Sequence, residues 1–305
     1  MPNLTGFMHV NVNCTDLVRA RAFYEDALGL VTSAHTKPDR AQPGAAFGLD
    51  GDALWDAYVL DDPRGMGTAA SLDLLRWERP APCGVPPGFA PAPGLHRIAY
   101  TVPSLDDVLP RVAAAGRGAL PPATVPRGDA HTRVAWALDP DGSVIELVED
   151  AACTERVRAR DATIVCLDLE RAVAWYERVL GLTVVARERG ASGPGASFAA
   201  SGEARWDAAV LELPHRPAHY ALRLEQWHAP APVERPRAVA NQLGPFRVAF
   251  LADDAQAWHA ELARRGVACT APPVWLDMGP EIPLDGLWAL FFFDPDGACV
   301  EMIQV

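Results

Sequence analysis

The 305-residue sequence is poor in positive charge, because 27 lysine and arginine residues stand against 39 aspartate and glutamate residues. The formal net charge is -12, and Lys37 is the only lysine. Nucleic acids and anionic membrane surfaces are bound by clustered positive charge. We therefore expect neither as a partner, and the sequence leaves monomer and homodimer open.

Long apolar runs and targeting signals are also missing. No apolar run approaches the length of a membrane span, and the N-terminus enters a strand pattern without the features of a signal peptide. The six cysteines form no CxxC pair and no zinc spacing, which predicts reduced, buried thiols in a cytoplasmic protein. A P-loop, a GxGxxG motif behind a strand and a GxSxG elbow are absent, which argues against nucleotide binding and serine hydrolysis.

A repeated stretch is the main positive feature of the chain. Residues 6–30 read as a short alternating strand, an amphipathic helix and a Gly-Leu ending, and the same plan recurs at residues 161–182. In the first copy His9, Asn11 and Asn13 occupy every second position, so they share one face of the strand. Repetition of this kind predicts a chain built from copies of one small module.

The two halves of the chain repeat the same segments in the same order, and each half is doubled within itself. Proline-rich joints at residues 78–94 and 228–239 separate the units, since such segments cannot lie in a central strand or helix. The predicted domains are residues 1–150, with modules at about 1–78 and 95–150, and residues 153–305, with modules at about 157–228 and 245–305.

Two DPDG turns, at Asp139 and Asp294, precede apolar strands that carry Glu146 and Glu301. Asp-Gly between two apolar strands is a hairpin signal, and the further acidic ligands of a calcium loop are missing. Together with MHVNVNCTDLVRARAFYEDALGL and LERAVAWYERVLGL, these turns resemble the vicinal oxygen chelate superfamily. That superfamily includes glyoxalase I, extradiol dioxygenases, and fosfomycin and bleomycin resistance proteins. The resemblance implies an α+β fold of four βαβββ modules that form two tandem domains with cupped sheets.

In metal-using members, as the resemblance implies, each cup holds a divalent ion with side chains from the first and last strands of its two modules. If modules pair in chain order, the first cup presents His9, Asp73, Arg97 and Glu146. The second cup then presents Asp161, Arg223, Arg247 and Glu301. A guanidinium has no lone pair to donate, and it would repel an ion about 5 Å away by roughly 6 to 7 kcal/mol at an effective dielectric of 20. We therefore expect salt-bridged clusters at the metal positions and no cofactor.

The first cup is the expected site of chemistry, because it keeps a histidine. His9 would act as a general acid or base, and Arg97 would hold a carboxylate or enolate oxygen. The predicted catalytic residues are His9, Asp73, Arg97 and Glu146. The predicted substrate-binding residues are Asn11, Asn13, Trp55, Arg247 and Glu301. The expected activity is isomerisation, cyclisation or lyase chemistry on a small oxygenated or aromatic molecule.

Two alternatives remain open. One is a binding protein that sequesters a small molecule, as the resemblance to bleomycin resistance proteins implies. The other is a lyase or dioxygenase in which His9, Asp73 and Glu146 hold iron, manganese or zinc. An extradiol dioxygenase is not expected, because the resemblance implies histidines where this chain has Asp161 and Arg247.

Overall fold

The computed structural model describes residues 2–128, 130–216 and 219–305. Its elements form four βαβββ modules in an α+β fold, which confirms the expected fold class. Module 1 contains β1 (Leu4–Asn13), α1 (Leu17–Ala22) with a π-helical continuation (Phe23–Leu28), β2 (Val31–Thr36), β3 (Gln42–Pro43), a 3-10 turn (Gly44–Phe47), β4 (Asp52–Asp61) and β5 (Ser71–Arg79). Module 2 contains β6 (Gly94–Val102), α2 (Leu105–Ala115), β7 (Ala123–Arg127), β8 (Ala130–Leu138) and β9 (Val144–Glu149).

The second half of the chain repeats this plan. Module 3 contains β10 (Arg158–Val165), α3 (Leu169–Leu180), β11 (Thr183–Pro194), a 3-10 turn (Gly195–Phe198), β12 (Glu203–Glu212) and β13 (Ala221–Ala229). Module 4 contains β14 (Gly244–Ala252), α4 (Ala255–Arg264), β15 (Val274–Asp277), β16 (Gly286–Phe293) and β17 (Cys299–Gln304). No helix in the described part of the chain is long and apolar enough to cross a membrane.

The modules are distributed over two curled sheets, and they do not pair in chain order. The nine-stranded sheet has the order β15-β16-β17-β14-β1-β5-β4-β2, with β3 paired to β4, so it joins module 1 to module 4. The eight-stranded sheet has the order β11-β12-β13-β10-β6-β9-β8-β7, so it joins module 2 to module 3. We call these the 1–4 cup and the 2–3 cup. Pairing in chain order, the condition under which the sequence assigned residues to the two cups, does not occur.

The lengths of the connections account for this pairing. Modules 2 and 3, which share a sheet, are joined by the short segment 150–157. The proline-rich connections 80–93 and 230–243 each lead from one sheet to the other. These two connections also contact each other, because the Cys83 amide donates to the Asn241 carbonyl at 2.9 Å and the Val233 amide donates to the Pro91 carbonyl at 2.8 Å. The short joint therefore keeps modules 2 and 3 in one sheet, and the two long, extended joints carry the chain from one sheet to the other.

Three apolar clusters hold the molecule together. The largest contains the buried faces of all four helices together with the outer faces of both sheets, for example Tyr24, Ile98 and Phe250. The other two fill the inner faces of the 1–4 cup and the 2–3 cup. Burial of this apolar surface is the main favourable term in folding, so both cup interiors are part of the packed protein.

The cysteines only partly follow the expectation of buried thiols. All six are free, and four of them are buried. Cys83 is exposed and Cys269 is partly exposed. Cys83 departs from the expectation because it lies on a proline-rich connection at the surface.

Both DPDG segments form hairpin turns, as expected, and each also anchors a tyrosine. The Tyr24 hydroxyl donates to Asp139 Oδ2 at 3.1 Å, and the Tyr176 hydroxyl donates to Asp294 Oδ2 at 2.9 Å. Backbone amides of each turn donate to the other carboxylate oxygen, for example Ala298 N to Asp294 Oδ1 at 2.7 Å. Each bond ties the helix of one module to the hairpin of the next, so the two modules of each sequence half are joined even though they share no sheet.

Burial raises the pKa of Asp294 to about 6, although the amides of its turn and the Tyr176 hydroxyl favour the carboxylate. Asp139 is buried in the same way, and burial raises its pKa as well. A raised pKa means that the folded state binds the proton more tightly than the unfolded state does. The stability that this proton contributes is complete below the ordinary pKa of 3.8 and is lost as the pH rises through about 6.

We therefore expect Asp294→Asn to become more stabilising relative to wild type as the pH rises. The amide keeps the acceptor oxygen for the turn and carries no buried charge. Urea unfolding between about pH 4 and about pH 8 should show the advantage of the variant growing by about 2 to 3 kcal/mol. Asp52→Asn, at the exposed end of β4, is the control and should show no such growth. If the free energies of unfolding of wild type and Asp294→Asn change in parallel with pH, the raised pKa of Asp294 is contradicted.

Candidate functional site

Four charged or titratable side chains meet inside the 1–4 cup. His9 lies on β1, Asp73 on β5, Arg247 on β14 and Glu301 on β17. Strands β1 and β14 pair antiparallel at the centre of the sheet, with β5 and β17 running parallel beside them. The four residues are buried and lie on the face that also carries the apolar residues of the cup interior.

Arg247 and His9 share the same two carboxylates. Arg247 Nε donates to Glu301 Oε2 at 2.6 Å, and Arg247 Nη2 donates to Asp73 Oδ2 at 2.7 Å. His9 Nε2 lies 3.0 Å from Glu301 Oε2 and 3.8 Å from Asp73 Oδ2. The four side chains therefore form a closed ring in which each carboxylate faces both nitrogen groups.

The charges of this ring stabilise one another. Burial works against ionisation of Glu301, but Arg247 and the hydrogen bond with His9 outweigh it and hold the pKa of Glu301 below its ordinary value. Burial likewise opposes the charge on Arg247, yet Glu301 and Asp73 raise its pKa. Glu301 is thus a carboxylate that can only accept, so His9 Nε2 carries the hydrogen and Nδ1 is the basic atom of the neutral ring.

Two buried polar atoms beside the ring have no partner among the described residues. Asn11 Nδ2 donates to Asp73 Oδ2 at 3.1 Å, but Asn11 Oδ1 is unbonded. Arg247 Nη1 is also buried and unbonded. A buried polar atom without a partner costs about 1 to 3 kcal/mol. One free acceptor and one free cationic donor are therefore open to a ligand or an ordered water.

The rest of the 1–4 cup interior is aromatic. The Phe47 ring contacts Trp77 at 5.3 Å and Phe291 at 5.0 Å between ring centroids, and Trp55 lies 6.2 Å from Trp77. Trp55, which was predicted to contact substrate, is buried in this cluster with 4% of its surface exposed. The rings fill the cup, so a ligand could enter only if part of the lining moved.

Asn13 is hydrogen-bonded to other parts of the protein. Its Nδ2 donates to the carbonyls of Ala240 and Gln242 at 2.8 and 2.7 Å, and its Oδ1 accepts from Trp77 Nε1 at 3.1 Å. These bonds fix the proline-rich connection 230–243 to β1. Both hydrogen-bonding groups of Asn13 thus have protein partners, and its role in binding substrate stays a prediction.

The 2–3 cup contains a larger and more deeply buried network of arginine and glutamate. Arg97 donates to Glu146 at 3.1 Å and to Glu225 at 2.7 Å, and Arg223 donates to the same Glu225 oxygen at 2.6 Å. Arg127 donates to Glu146, and Arg223 Nη1 donates to Glu188 at 2.9 Å. Since three arginines face three glutamates, the network balances its own charge.

Arg97 and Glu146 were expected beside His9, and that expectation is wrong. They lie in the 2–3 cup because β1 pairs with β14, whereas β6 pairs with β10. Arg247 and Glu301, expected only to bind substrate, occupy the places next to His9. The predicted grouping of these two residues with Asp161 and Arg223 is wrong for the same reason.

Asp161 stands apart from the bonded network of the 2–3 cup. Its closest cation is Arg160, whose Nε lies 3.4 Å from Asp161 Oδ2. Burial and the nearby charge of Glu146 raise the pKa of Asp161, against the effect of the surrounding arginines. Asp161 therefore lies beside the bonded arginine–glutamate network without being one of its bonded members.

Sequence reasoning missed Arg127, Glu188 and Glu225 of the 2–3 network. A signal for Glu225 was present, since Arg223, Glu225 and Trp227 alternate along β13 and so share one face. Trp227 Nε1 donates to Glu225 Oε2 at 2.9 Å. Arg127 and Glu188 lie near the edges of the sheet, on strands whose contact depends on curvature that a sequence pattern does not show.

His96 is a second buried histidine, adjacent to the 2–3 cup. Its ring lies 5.8 Å from that of Trp136, and Nε2 lies 3.0 Å from the Ala90 carbonyl. Burial, together with the charge of Arg97, lowers the pKa of His96 to about 4. His96 is therefore neutral near neutral pH and acts as a packed residue that binds a loop.

The donor sets do not fit a divalent ion. The alternative set of His9, Asp73 and Glu146 is divided between the two sheets. In the 1–4 cup Arg247 bridges both carboxylates, and a guanidinium cannot coordinate a metal. Within residues 2–128, 130–216 and 219–305, no group of three or more His, Cys, Asp or Glu side chains is arranged to hold one.

Comparisons with known proteins agree with this architecture. A family model described as Glyoxalase/Bleomycin resistance protein/Dioxygenase superfamily matches the chain twice, over residues 6–147 and 160–302. Glyoxalase I from Zea mays is similar in structure, with a TM-score of 0.65 and 17% identity over 100% of this chain and 92% of that chain. A putative dioxygenase from Bacillus subtilis has a TM-score of 0.61 and 15% identity over 100% of this chain and 86% of that chain. A search of curated protein sequences gave no significant match.

If the 2–3 network is structural, removing one of its charges should destabilise the protein strongly. Glu225→Gln keeps the shape of the side chain but leaves Arg97 and Arg223 with one fewer buried carboxylate. We expect a loss of about 3 to 5 kcal/mol in the free energy of unfolding, measured by urea titration. The control Glu203→Gln, on the exposed start of β12, should change stability by less than about 0.5 kcal/mol. Equal stability of the two variants would show that the network contributes little.

Proposed function

Since the chain belongs to the Glyoxalase/Bleomycin resistance protein/Dioxygenase superfamily, we propose that its 1–4 cup binds a small oxygenated or aromatic molecule and that His9 exchanges a proton with it. The observation that carries this proposal is the ring of His9, Glu301, Arg247 and Asp73. It combines a basic ring nitrogen with a buried cation that still has a free donor.

The contrast between the two cups supports this choice of site. The side chain of His9 retains 11% of its surface exposed, whereas the side chains of Arg97 and Glu146 retain 1% each. Imidazole is the side chain that exchanges a proton near neutral pH, while arginine remains charged. Acid–base chemistry is therefore available in the 1–4 cup, and the 2–3 cup serves to hold modules 2 and 3 together.

The ring supplies the parts of a proton-transfer site. His9 Nδ1 would accept a proton from carbon next to a carbonyl group, and the carboxylate of Glu301 would stabilise the imidazolium that results. The electron pair left on carbon would move to the carbonyl oxygen and form an enolate. Arg247 Nη1 would donate to that oxygen in a charge-assisted hydrogen bond. Returning the proton elsewhere, or losing a leaving group, gives isomerisation, cyclisation or lyase chemistry.

This mechanism requires no metal, because Arg247 provides the positive charge that would stabilise the enolate oxygen. Asp73 holds Arg247 in place and accepts from Asn11, so it is a positioning residue. Asn11 Oδ1 would accept from a hydroxyl or amine of the ligand, as a buried acceptor without a partner must.

Sequestration of a small molecule is the second candidate function. It is favoured by the aromatic interior formed by Phe47, Trp55, Trp77 and Phe291, which would stack on a planar ligand. In that case Arg247 and Asn11 would bind the ligand and His9 would remain a structural member of the ring.

Deuterium exchange at carbon distinguishes the two functions. Wild-type protein in D2O should speed the loss of the proton next to the carbonyl in a panel of carbon acids that includes phenylpyruvate, as followed by 1H NMR. His9→Gln should lower that rate by about 100-fold or more, which is the usual contribution of a general base. Asp161→Asn, at the matching strand position of the other cup, should exchange like wild type.

Binding is measured with the same compounds by calorimetry. Unchanged affinity in His9→Gln together with lost exchange supports proton transfer by His9. Binding without exchange in wild type would overturn the enzymatic proposal in favour of sequestration. Equal exchange by wild type and His9→Gln would remove His9 from the mechanism.

A further inference from the structure

The two edges of the 1–4 sheet are joined by residues 278–285, which connect β15 to β16 and are called the strap here. The Lys37 amide, just beyond β2, donates to the Met278 carbonyl at 3.1 Å. Gly279 has a φ of +83°, and a Cβ on it would lie 2.0 Å from the Lys37 carbonyl oxygen. The strap therefore runs from one edge of the sheet to the backbone at the opposite edge.

The inner side of the strap covers the aromatic interior of the cup. Met278 is part of the buried cluster that contains Phe47 and Trp77, and Ile282 and Leu284 pack against that cluster while partly exposed. Because the rings fill the cup, a ligand needs a part of the lining that can move. The strap has few buried apolar side chains and little regular structure, as segments that open locally do.

The 2–3 cup has no comparable strap in its described residues. There the corresponding strands β7 (Ala123–Arg127) and β8 (Ala130–Leu138) follow each other almost directly. The long connection thus belongs to the cup that contains His9.

His35 of β2 fastens the strap. His35 Nδ1 lies 2.5 Å from Glu281 Oε2, and His35 Nε2 lies 2.6 Å from Asp56 Oδ1 on β4. Burial disfavours the charge on Asp56, but hydrogen bonds from Lys37 and His35 lower its pKa, so Asp56 is a carboxylate. A neutral imidazole has one N–H, so only the doubly protonated ring can donate to both carboxylates.

The other charged groups around His35 carry both signs. Lys37 Nζ donates to Asp56 Oδ2 at 2.7 Å and lies 3.5 Å from Glu78. The Tyr58 ring stacks on His35 at 4.2 Å between centroids. Asp56 and Tyr58 on β4 and Glu281 on the strap contact His35 directly. The further charged groups contact those partners or one another: Lys37 pairs with Asp56 and Glu78, Arg76 pairs with Glu78, and Arg21 lies over the Tyr58 ring.

We propose that the strap is a lid over the 1–4 cup and that the His35–Glu281 ion pair is its latch. The latch is closed while His35 is doubly protonated and is released when the ring loses a proton as the pH rises. In the neutral ring, one of the two His35 nitrogens faces a carboxylate oxygen without a hydrogen between them. The lid would control access to the site of the proposed function. This proposal rests on the proposed function only for the statement that a ligand binds in the 1–4 cup.

Hydrogen exchange read by mass spectrometry tests the latch without any ligand. The amide of Lys37 is protected by the Met278 carbonyl, so it reports opening of the strap. In wild type its protection factor, which removes the intrinsic effect of pH, should fall by about two- to five-fold between about pH 6 and about pH 8.5, as expected for a half-exposed ion pair. Glu281→Gln and His35→Gln should show low protection at both pH values.

His228→Gln is the matched control, because His228 Nε2 lies 3.0 Å from Asp207 of the 2–3 cup and does not contact the strap. Its Lys37 amide should behave as in wild type. Protection that does not depend on pH in wild type, or that survives in Glu281→Gln, would overturn the latch. If Lys37 protection does not follow the prediction but wild type still exchanges deuterium at carbon, the latch fails and the proposed function stands. If Lys37 protection follows the prediction but no exchange at carbon occurs, the proposed function fails and the lid stands.

Discussion

Antiparallel pairing of β1 with β14 determines which charged side chains meet in this protein. Each module places one polar residue at the centre of its first strand and another on its last strand, facing the cup interior. With β1 beside β14, the imidazole of His9 faces the carboxylate of Glu301, which Arg247 also binds. Arg97 lies in the other sheet, where it donates to Glu146 and Glu225. The pairing of β1 with β14 therefore decides which charged side chains meet in each cup.

Buried charge then decides what each cup can do. An unpaired charge in such an interior would cost several kcal/mol, so each cationic group is matched by carboxylates. In the 1–4 cup a single guanidinium bridges two carboxylates and takes the place that a cation would otherwise fill. That arrangement satisfies the carboxylates without using His9 as a metal ligand. In the proposed mechanism, Nδ1 of the neutral His9 ring then supplies the lone pair that a base requires.

Much of the fold was predictable from sequence, and the partition of its modules was not. The repeat around residues 6–30 and 161–182 predicted copies of one small module, the resemblance to a known family implied four βαβββ units, and the DPDG turns predicted two hairpins. The pairing of modules could not be derived from charge, because both pairings balance equally. Sequential pairing would place one arginine and two carboxylates with His9, and the observed pairing does the same with Arg247 in place of Arg97. The discriminating signal was the unequal length of the joints, with 150–157 short and the proline-rich connections long.

The two cups of the duplicated chain thus differ in rigidity as well as in chemistry. In the 2–3 cup the Gly128 amide, next to β7, donates to Glu188 of β11 at 2.9 Å, so the edges of that sheet meet through the same network that fills its centre. Opening that cup would break buried ion pairs. In the 1–4 cup the edges meet through the strap, whose polar contact to His35 is half exposed and separate from the ring around His9. Opening there would leave the buried charges paired, as the proposed lid over this cup requires.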